Sequence, residues 1–94
     1  MEILNVKDKV GKYLGKLDNY DDLKKFFNFL IKVKNVNSIR KDDLYKALLL
    51  LTEDLDQDSI QYAILTDTMD YFVGHYSVLK ENSDEYFFVK SLNS

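Results

Sequence analysis

The sequence predicts an all-α protein, an antiparallel bundle of four to five helices in a single domain over residues 1–94. The chain has no proline and only three glycines, so little in it interrupts a helix. Its apolar residues recur at spacings of three and four, which is the helical period. A hydrophobic fraction of 46% and a charged fraction of 31% indicate a folded globular domain rather than a disordered chain.

The first helix is predicted from an apolar stripe that begins at Ile3 and continues to Leu17. Two glycines, Gly11 and Gly15, lie in this stripe four residues apart. In a membrane this spacing favours helix dimerisation, but the surrounding lysines exclude that setting. We therefore expect the glycines to let another helix of the bundle approach closely.

The second helix is predicted to begin after Asp18 or Asn19, either of which can cap its free N–H groups. Its apolar residues run from Tyr20 to Val33 and include two adjacent phenylalanines, so the apolar face is broad. A face of this width indicates contact with more than one neighbouring helix.

The third helix is predicted to follow a polar break at residues 35–37, with Ser38 as its N-cap. Its apolar positions include Leu44, Leu48 and Leu51. Leu49 and Leu50 widen the apolar arc, which suggests that this is the central helix of the bundle.

The fourth helix is predicted from Ile60 to Val73, with Asp58 or Ser59 as its cap and Gly74 at its end. Residues 77–81 could form a further helical turn.

A last helix is predicted to follow a cap at Asp84. Residues 86–89 also have the aromatic and β-branched composition of a short strand, but an isolated strand would have no partner, so a helix is favoured.

Charge is divided unevenly along the chain. Residues 1–46 carry eleven lysines and arginines against seven acids, a net charge of +4. Residues 47–94 carry two lysines against nine acids, a net charge of −7. Clustered like charge steers a protein towards surfaces of opposite sign, so the division points to binding partners without identifying them.

Few residues offer a reactive group. The chain has no cysteine, which excludes disulfides and thiolate chemistry. His75 is the single histidine, and its position after Gly74 is more typical of a surface residue than of a catalyst. Ser77 lies near it, but no nucleophile, phosphate or metalloprotease motif is present. The sequence therefore predicts a protein without catalytic activity or a cofactor.

The connection before the fourth helix resembles the first part of a calcium loop. Asp54, Asp56 and Asp58 have the right spacing, but Ser59 stands in place of the required glycine and Leu65 in place of the bidentate glutamate. No metal site is therefore predicted. The simpler interpretation is a solvated loop that caps the next helix.

The acidic half is the predicted partner-binding surface. Acids in this loop and on the outer side of the fourth helix could form one negative face, and two tyrosines near them would add aromatic contacts of the kind found in interfaces. An ordinary solvated helix face is the alternative interpretation. The predicted partner-binding residues are Glu53, Asp54, Asp56, Asp58, Tyr62, Asp67, Asp70 and Tyr71.

The charge division is also compatible with two other kinds of partner. The basic half could meet the acidic half of a second copy, giving a self-associating homodimer. Nucleic acid could bind between Lys24 and Lys46, but Asp42 and Asp43 would lie among the contacts and the whole chain is acidic, so nucleic acid is disfavoured. A basic protein is the preferred partner.

The stretch from residue 48 to residue 72 resembles a segment of small all-helical bacterial immunity proteins, which neutralise polymorphic or contact-delivered toxins. In that family an apolar helix leads to an acidic loop and then to a second apolar helix that ends in an acid and an aromatic residue. Residues 88–94 are also similar to the end of that family. The chain departs from it at Asp67 and Thr68, where a histidine is expected. The resemblance implies an inhibitor that blocks a toxin without catalysis.

The location predicted from the sequence is cytoplasmic. The first residues carry an acid and no apolar core of a signal peptide, and the longest apolar run, residues 47–51, is far shorter than the roughly 20 residues that cross a bilayer. We therefore expect no contact with a membrane.

Overall fold

Helices form almost all of the regular structure in the computed structural model, which describes residues 2–94. They pack into a bundle with no strand among these residues, so the prediction of an all-α bundle is confirmed. The last element is a helix, as favoured from the sequence. The elements are α1 (Ile3–Leu14), a 3-10 turn (Tyr20–Asp22), α2 (Leu23–Val36), α3 (Lys41–Asp54), α4 (Ile60–Val73) and α5 (Asp84–Leu92).

The second helix, α2, is the centre of the bundle. It contacts α1, α4, α5 and the 3-10 turn, and Phe26 and Leu30 on it are completely buried. This confirms the prediction that its broad apolar face serves several neighbours. The prediction that α3 is central is wrong, because α3 packs mainly on α1 and α4 and leaves the side chain of Leu49 44% exposed.

At Gly11, α1 lies close against α3. A Cβ atom at this position would lie 3.0 Å from Cδ2 of Leu51, so the absence of a side chain allows this packing. Gly15 has no such role, since a Cβ atom there would meet only the backbone of its own turn. The predicted close approach is therefore confirmed at one glycine of the two.

Serines cap two of the helices. Ser59 accepts a hydrogen bond from the backbone N–H of Tyr62 at the start of α4, as one of the two predicted alternatives. At α5 the prediction was wrong, because Ser83 rather than Asp84 is the cap and accepts from the N–H of Tyr86. A cap needs extended backbone, which Ser83 has, whereas Asp84 is already helical and places its charge in the favourable first turn.

Ser38 ends α2 instead of capping α3, so that prediction is also wrong. Its φ of +52° is left-handed, and the N–H of Ile39 after it donates to the carbonyl oxygen of Lys34. This is the usual bond pattern of a helix C-terminus. Asn19 is the residue that caps the turn before α2, since its side chain accepts from the N–H of Asp21.

Residues 75–83 connect α4 to α5 without helix, so the helical turn predicted over residues 77–81 is absent. Gly74 ends α4 as predicted, with a left-handed φ of +78°. None of the helices found in residues 2–94 has both the length and the apolar character that crossing a membrane requires.

Candidate functional site

Seven of the eight predicted site residues fall into two groups, one before the start of α4 and one in its second half. Glu53, Asp54, Asp56 and Asp58 lie at the end of α3 and in the loop before α4. Asp70, in the last turn of α4, lies about 15 Å along the helix axis from Ile60, the first residue after that loop, at the helical rise of about 1.5 Å per residue. The acids therefore do not form one continuous patch at the start of α4.

The loop group is partly neutralised inside the fold. The ammonium group of Lys7 lies 2.6 Å from a carboxylate oxygen of Asp54, and this bond raises the pKa of Lys7. Asp56 accepts a hydrogen bond of 2.9 Å from the N–H of Asp58, which shapes the loop. Glu53 remains exposed beside them. The loop thus offers acids to solvent, but without an aromatic side chain among them.

Tyr62 belongs to neither group. It is half-buried in the first turn of α4, and its backbone N–H is the group that Ser59 caps. Tyr62 therefore lies in the capped first turn of α4, apart from both groups of acids.

The second group gains three residues that were not predicted. Tyr20 from the 3-10 turn, Tyr76 from the loop after α4 and Glu85 from α5 lie around the end of α4. We call this surface the acidic tyrosine face; it consists of Tyr20, Asp67, Asp70, Tyr71, Tyr76 and Glu85.

Hydrogen bonding, burial and negative charge in this face raise the pKa values of two of its tyrosines. The hydroxyl of Tyr20 donates to a carboxylate oxygen of Asp67, and this bond, with some burial, raises the pKa of Tyr20 to about 12. Burial raises the pKa of Tyr71, and the negative charges of Glu85, Asp67 and Asp70 raise it further. The negative charges of carboxylates on two helices, α4 and α5, therefore make the Tyr71 hydroxyl harder to deprotonate.

The face has a rigid aromatic support. The ring of Tyr71 packs edge-on against Phe27 and Phe88, with centroid distances of 5.6 Å and 6.2 Å. Phe27 and Phe88 are themselves stacked at 4.3 Å in the core. On the outer side Tyr76 stacks on Tyr71 at 5.5 Å and is 39% exposed. Tyr71 is thus packed between the core rings and Tyr76.

Sequence reasoning missed Tyr20, Tyr76 and Glu85 because only the fold brings them to α4. Tyr20 is 47 positions away from Asp67 in the chain. The one available signal was the cap at Asn19, which fixes the turn that carries Tyr20. Nothing in the sequence placed that turn against α4.

Much of the basic half is engaged within the fold. Lys24 pairs with Asp84 at 2.8 Å, which raises the pKa of Lys24, and Lys25 and Lys46 pair with acids on their own segments. Lys34 and Lys41 donate hydrogen bonds to residues at the end of the chain. The stretch considered for nucleic acid therefore has few lysines left for phosphates.

The other groups of possible chemical interest stand apart. His75 is exposed in the loop after Gly74. Within residues 2–94, no three carboxylate or imidazole side chains come together as a metal ion would require. Asp54, Asp56 and Asp58 lie in the exposed connection before α4, and the first of them is already bound to Lys7.

No protein family, curated protein or solved structure matches this chain.

Proposed function

We propose that this chain is a small protein-binding module without catalytic activity, which binds a basic protein through its acidic tyrosine face. The observation that carries the proposal is that the Tyr20 hydroxyl donates to Asp67, one helical turn before Tyr71, and that Tyr71 in turn stacks on Tyr76. The negative charges of Glu85, Asp67 and Asp70 also raise the pKa of Tyr71. Lys24, a cation that the charge of Glu85 reaches, is paired with Asp84. The face therefore keeps a net negative charge that an arginine or lysine of a partner can neutralise.

The chemistry of the face suits an interface hot spot. Tyrosines provide a large apolar area with little conformational freedom to lose, and they are enriched where binding energy is concentrated. Tyr71 and Tyr76 are already stacked, so their order does not have to be created on binding. Carboxylates beside such rings select for a cationic partner and accelerate association.

The more concrete version of the proposal is an inhibitor of the immunity type, which blocks a toxin by covering a basic surface on it. The support for it is the acidic, aromatic face together with the resemblance of residues 48–72 to small immunity proteins. In this version the loop acids Glu53, Asp56 and Asp58 add long-range attraction, and the acidic tyrosine face makes the close contacts.

Self-association through opposite charges has less support. Lys7 pairs with Asp54 and Lys24 pairs with Asp84 inside one copy, so these charges of the two halves are already matched. Nucleic acid binding between Lys24 and Lys46 has less support for the same reason.

The test is affinity capture from native-host lysate at low salt with three baits: the wild type, Asp70→Lys/Glu85→Lys and Asp56→Lys/Asp58→Lys. The two variants change the net charge equally, so a general charge effect would alter both alike. We expect the wild type and the loop variant to retain a basic protein that the face variant loses. Retention of that protein by the face variant would contradict the proposal.

The inhibitor version is tested on the captured protein itself. If it is a toxin, its expression arrests growth and co-expression of the wild-type chain restores growth. Rescue by the Asp56→Lys/Asp58→Lys variant and failure of Asp70→Lys/Glu85→Lys would assign the inhibition to the acidic tyrosine face. A captured protein that is harmless alone would leave a binding module and exclude the inhibitor.

A further inference from the structure

A basic aromatic surface lies between α1 and α2, separate from the acidic tyrosine face. Tyr13 of α1 and Phe29 of α2 are stacked in parallel, with centroids 4.0 Å apart and planes inclined by 2°. Both rings are only partly buried, so the stack is open to solvent. It forms the floor of a surface that includes Lys9, Lys12 and Lys16.

The four lysines that line the grooves at this stack are unpaired. Lys9, Lys12, Lys16 and Lys32 form no ion pair within residues 2–94. Lys25, whose backbone carbonyl accepts from the Tyr13 hydroxyl, is paired with Asp22. Asp8 is the one acid beside the four unpaired lysines in the grooves at the stack. The surface thus carries a local positive charge on a protein whose net charge is −3.

Two open grooves flank Phe29. The first, of about 340 Å³, lies along Lys9, Lys12 and Lys16. The second, of about 260 Å³, lies between Lys9 and Lys32. The second groove is mostly apolar, since Val33 and Val36 line it together with Phe29. Val36 is 70% exposed, although it is a large apolar residue at the end of a helix.

We propose that this surface is a second binding site, which takes an acidic amphipathic helix of a protein partner. Lys9, Lys12 and Lys16 recur at three and four positions and extend over about 10 Å along one side of α1 and the turn after it. Carboxylates at the same spacing on a partner helix would face them. Apolar side chains of that helix would enter the groove at Val36, as in other helix-in-groove complexes.

A protein segment fits this surface better than nucleic acid does. A nucleic acid would use the lysines, but its sugar-phosphate chain gains nothing from the exposed Val36 and the groove beneath it. The acidic remainder of the molecule also repels an extended polyanion, whereas a short helix carries its charge only where the lysines are. The site is independent of the acidic tyrosine face, so it stands or falls separately from the proposed function.

The experiment is an NMR titration of the whole chain, labelled with ¹⁵N, with three probes at low salt. The first probe is a peptide of about 18 residues that forms an amphipathic helix of glutamate, alanine and leucine, long enough to be helical. The second has the same composition but with its leucines dispersed around the helix. The third is single-stranded oligothymidine. We expect the first peptide to shift the amides of residues 9–16 and 29–36 and to bind most tightly.

Three variants separate charge, apolar contact and non-specific attraction. Lys9→Glu/Lys16→Glu should weaken the amphipathic peptide at least about tenfold, because attraction becomes repulsion. Val36→Asn should weaken it while the net charge is unchanged. Lys80→Glu/Lys90→Glu is the matched control, with the same change of charge on exposed lysines elsewhere, and should leave the affinity unchanged.

The proposal is overturned if the amphipathic peptide causes no shifts, or if its shifts map outside the two grooves. It is overturned equally if the control variant weakens binding as much as Lys9→Glu/Lys16→Glu does. Tighter binding of oligothymidine than of the peptide would assign the surface to nucleic acid instead. All substituted side chains are exposed, and circular dichroism of each variant verifies that the fold is retained.

Discussion

Tyr20 donates its phenolic hydrogen to Asp67 across 47 positions of the chain. The bond connects the 3-10 turn before α2 with the outer side of α4, two elements that also pack against each other. It places a tyrosine from the N-terminal half on a surface made mainly by the C-terminal half. One hydrogen bond thus contributes both to the packing of the fold and to the composition of the acidic tyrosine face.

Replacing Tyr20 by phenylalanine removes this bond and little else. We expect the free energy of unfolding to fall by about 1 kcal/mol, the usual net value of one hydrogen bond. A larger loss is not expected, because Tyr20 is 43% exposed and water competes for the carboxylate. Urea unfolding of the wild type, Tyr20→Phe, Asp67→Asn and the double variant measures the coupling between the two side chains. Additive losses would contradict a direct interaction.

The same bond predicts a dependence on alkaline pH. The pKa of Tyr20 is raised from 10.0 to about 12 in the folded protein, so the folded state holds the proton more tightly than the unfolded state. The stabilisation is complete below pH 10 and is lost as the pH rises through 12. The difference in stability between the wild type and Tyr20→Phe should therefore shrink over this interval. If the difference in unfolding free energy stays constant over this pH interval, the Tyr20 hydroxyl does not donate to Asp67 in the folded protein.

Gly74 and Ser38 both have a left-handed backbone conformation, and substitutions at these two positions should change the stability in opposite directions. Gly74 has a φ of +78° with open space around it, so Gly74→Ala should cost about 1 kcal/mol through backbone strain alone. Ser38 has a φ of +52°, so Ser38→Gly should gain a similar amount by relieving that strain. Thermal unfolding of each variant and of the double variant checks this. The double variant should unfold near the wild-type temperature, because the two sites end different helices.

Gly11 allows a test of the contact between α1 and α3. A side chain there would press on Leu51, which is 5% exposed, so Gly11→Val should cost about 1–3 kcal/mol by overpacking. Gly15→Val is the matched control. It meets only its own turn and should change stability by less than about 1 kcal/mol, since valine tolerates helical backbone better than glycine does. Equal losses of stability in the two variants would show that contact with α3 is not the reason that glycine is needed at position 11.

The helices were predictable because each is specified locally. Apolar spacing gave α1, α2, α3, α4 and α5, and the polar loop before α4 supplied the cap at Ser59. The errors occurred where a residue type suits two roles. Ser38 has the side chain of an N-cap, but the backbone direction at that point ends α2, and a left-handed serine cannot be recognised from composition.

The candidate site was predictable only in part, for a related reason. Asp67, Asp70 and Tyr71 share one turn of one helix, so helical geometry alone puts them together. Glu53 and Asp58 are close to them in sequence but far along the helix axis. Which distant residues join the end of α4 depends on the crossing of whole helices, and no local pattern of residues encodes that.

The support beneath the face gives the last prediction, which contrasts two adjacent residues of α5. Phe88 is 2% exposed and stacks on Phe27, whereas Phe87 is 49% exposed on the other side of the helix. Phe88→Ala should cost about 3–5 kcal/mol by leaving a cavity. Because a domain of this size has a total stability of roughly 5–10 kcal/mol, that loss is a large part of it. Phe87→Ala should cost less than about 1 kcal/mol, as surface changes do.

Urea unfolding measures the loss of stability in both variants. The near-ultraviolet circular dichroism of Phe88→Ala should also weaken, because Tyr71 loses a ring that orients it. Similar losses in the two variants would mean that α5 does not present Phe88 to the core, and the acidic tyrosine face would then lack its support.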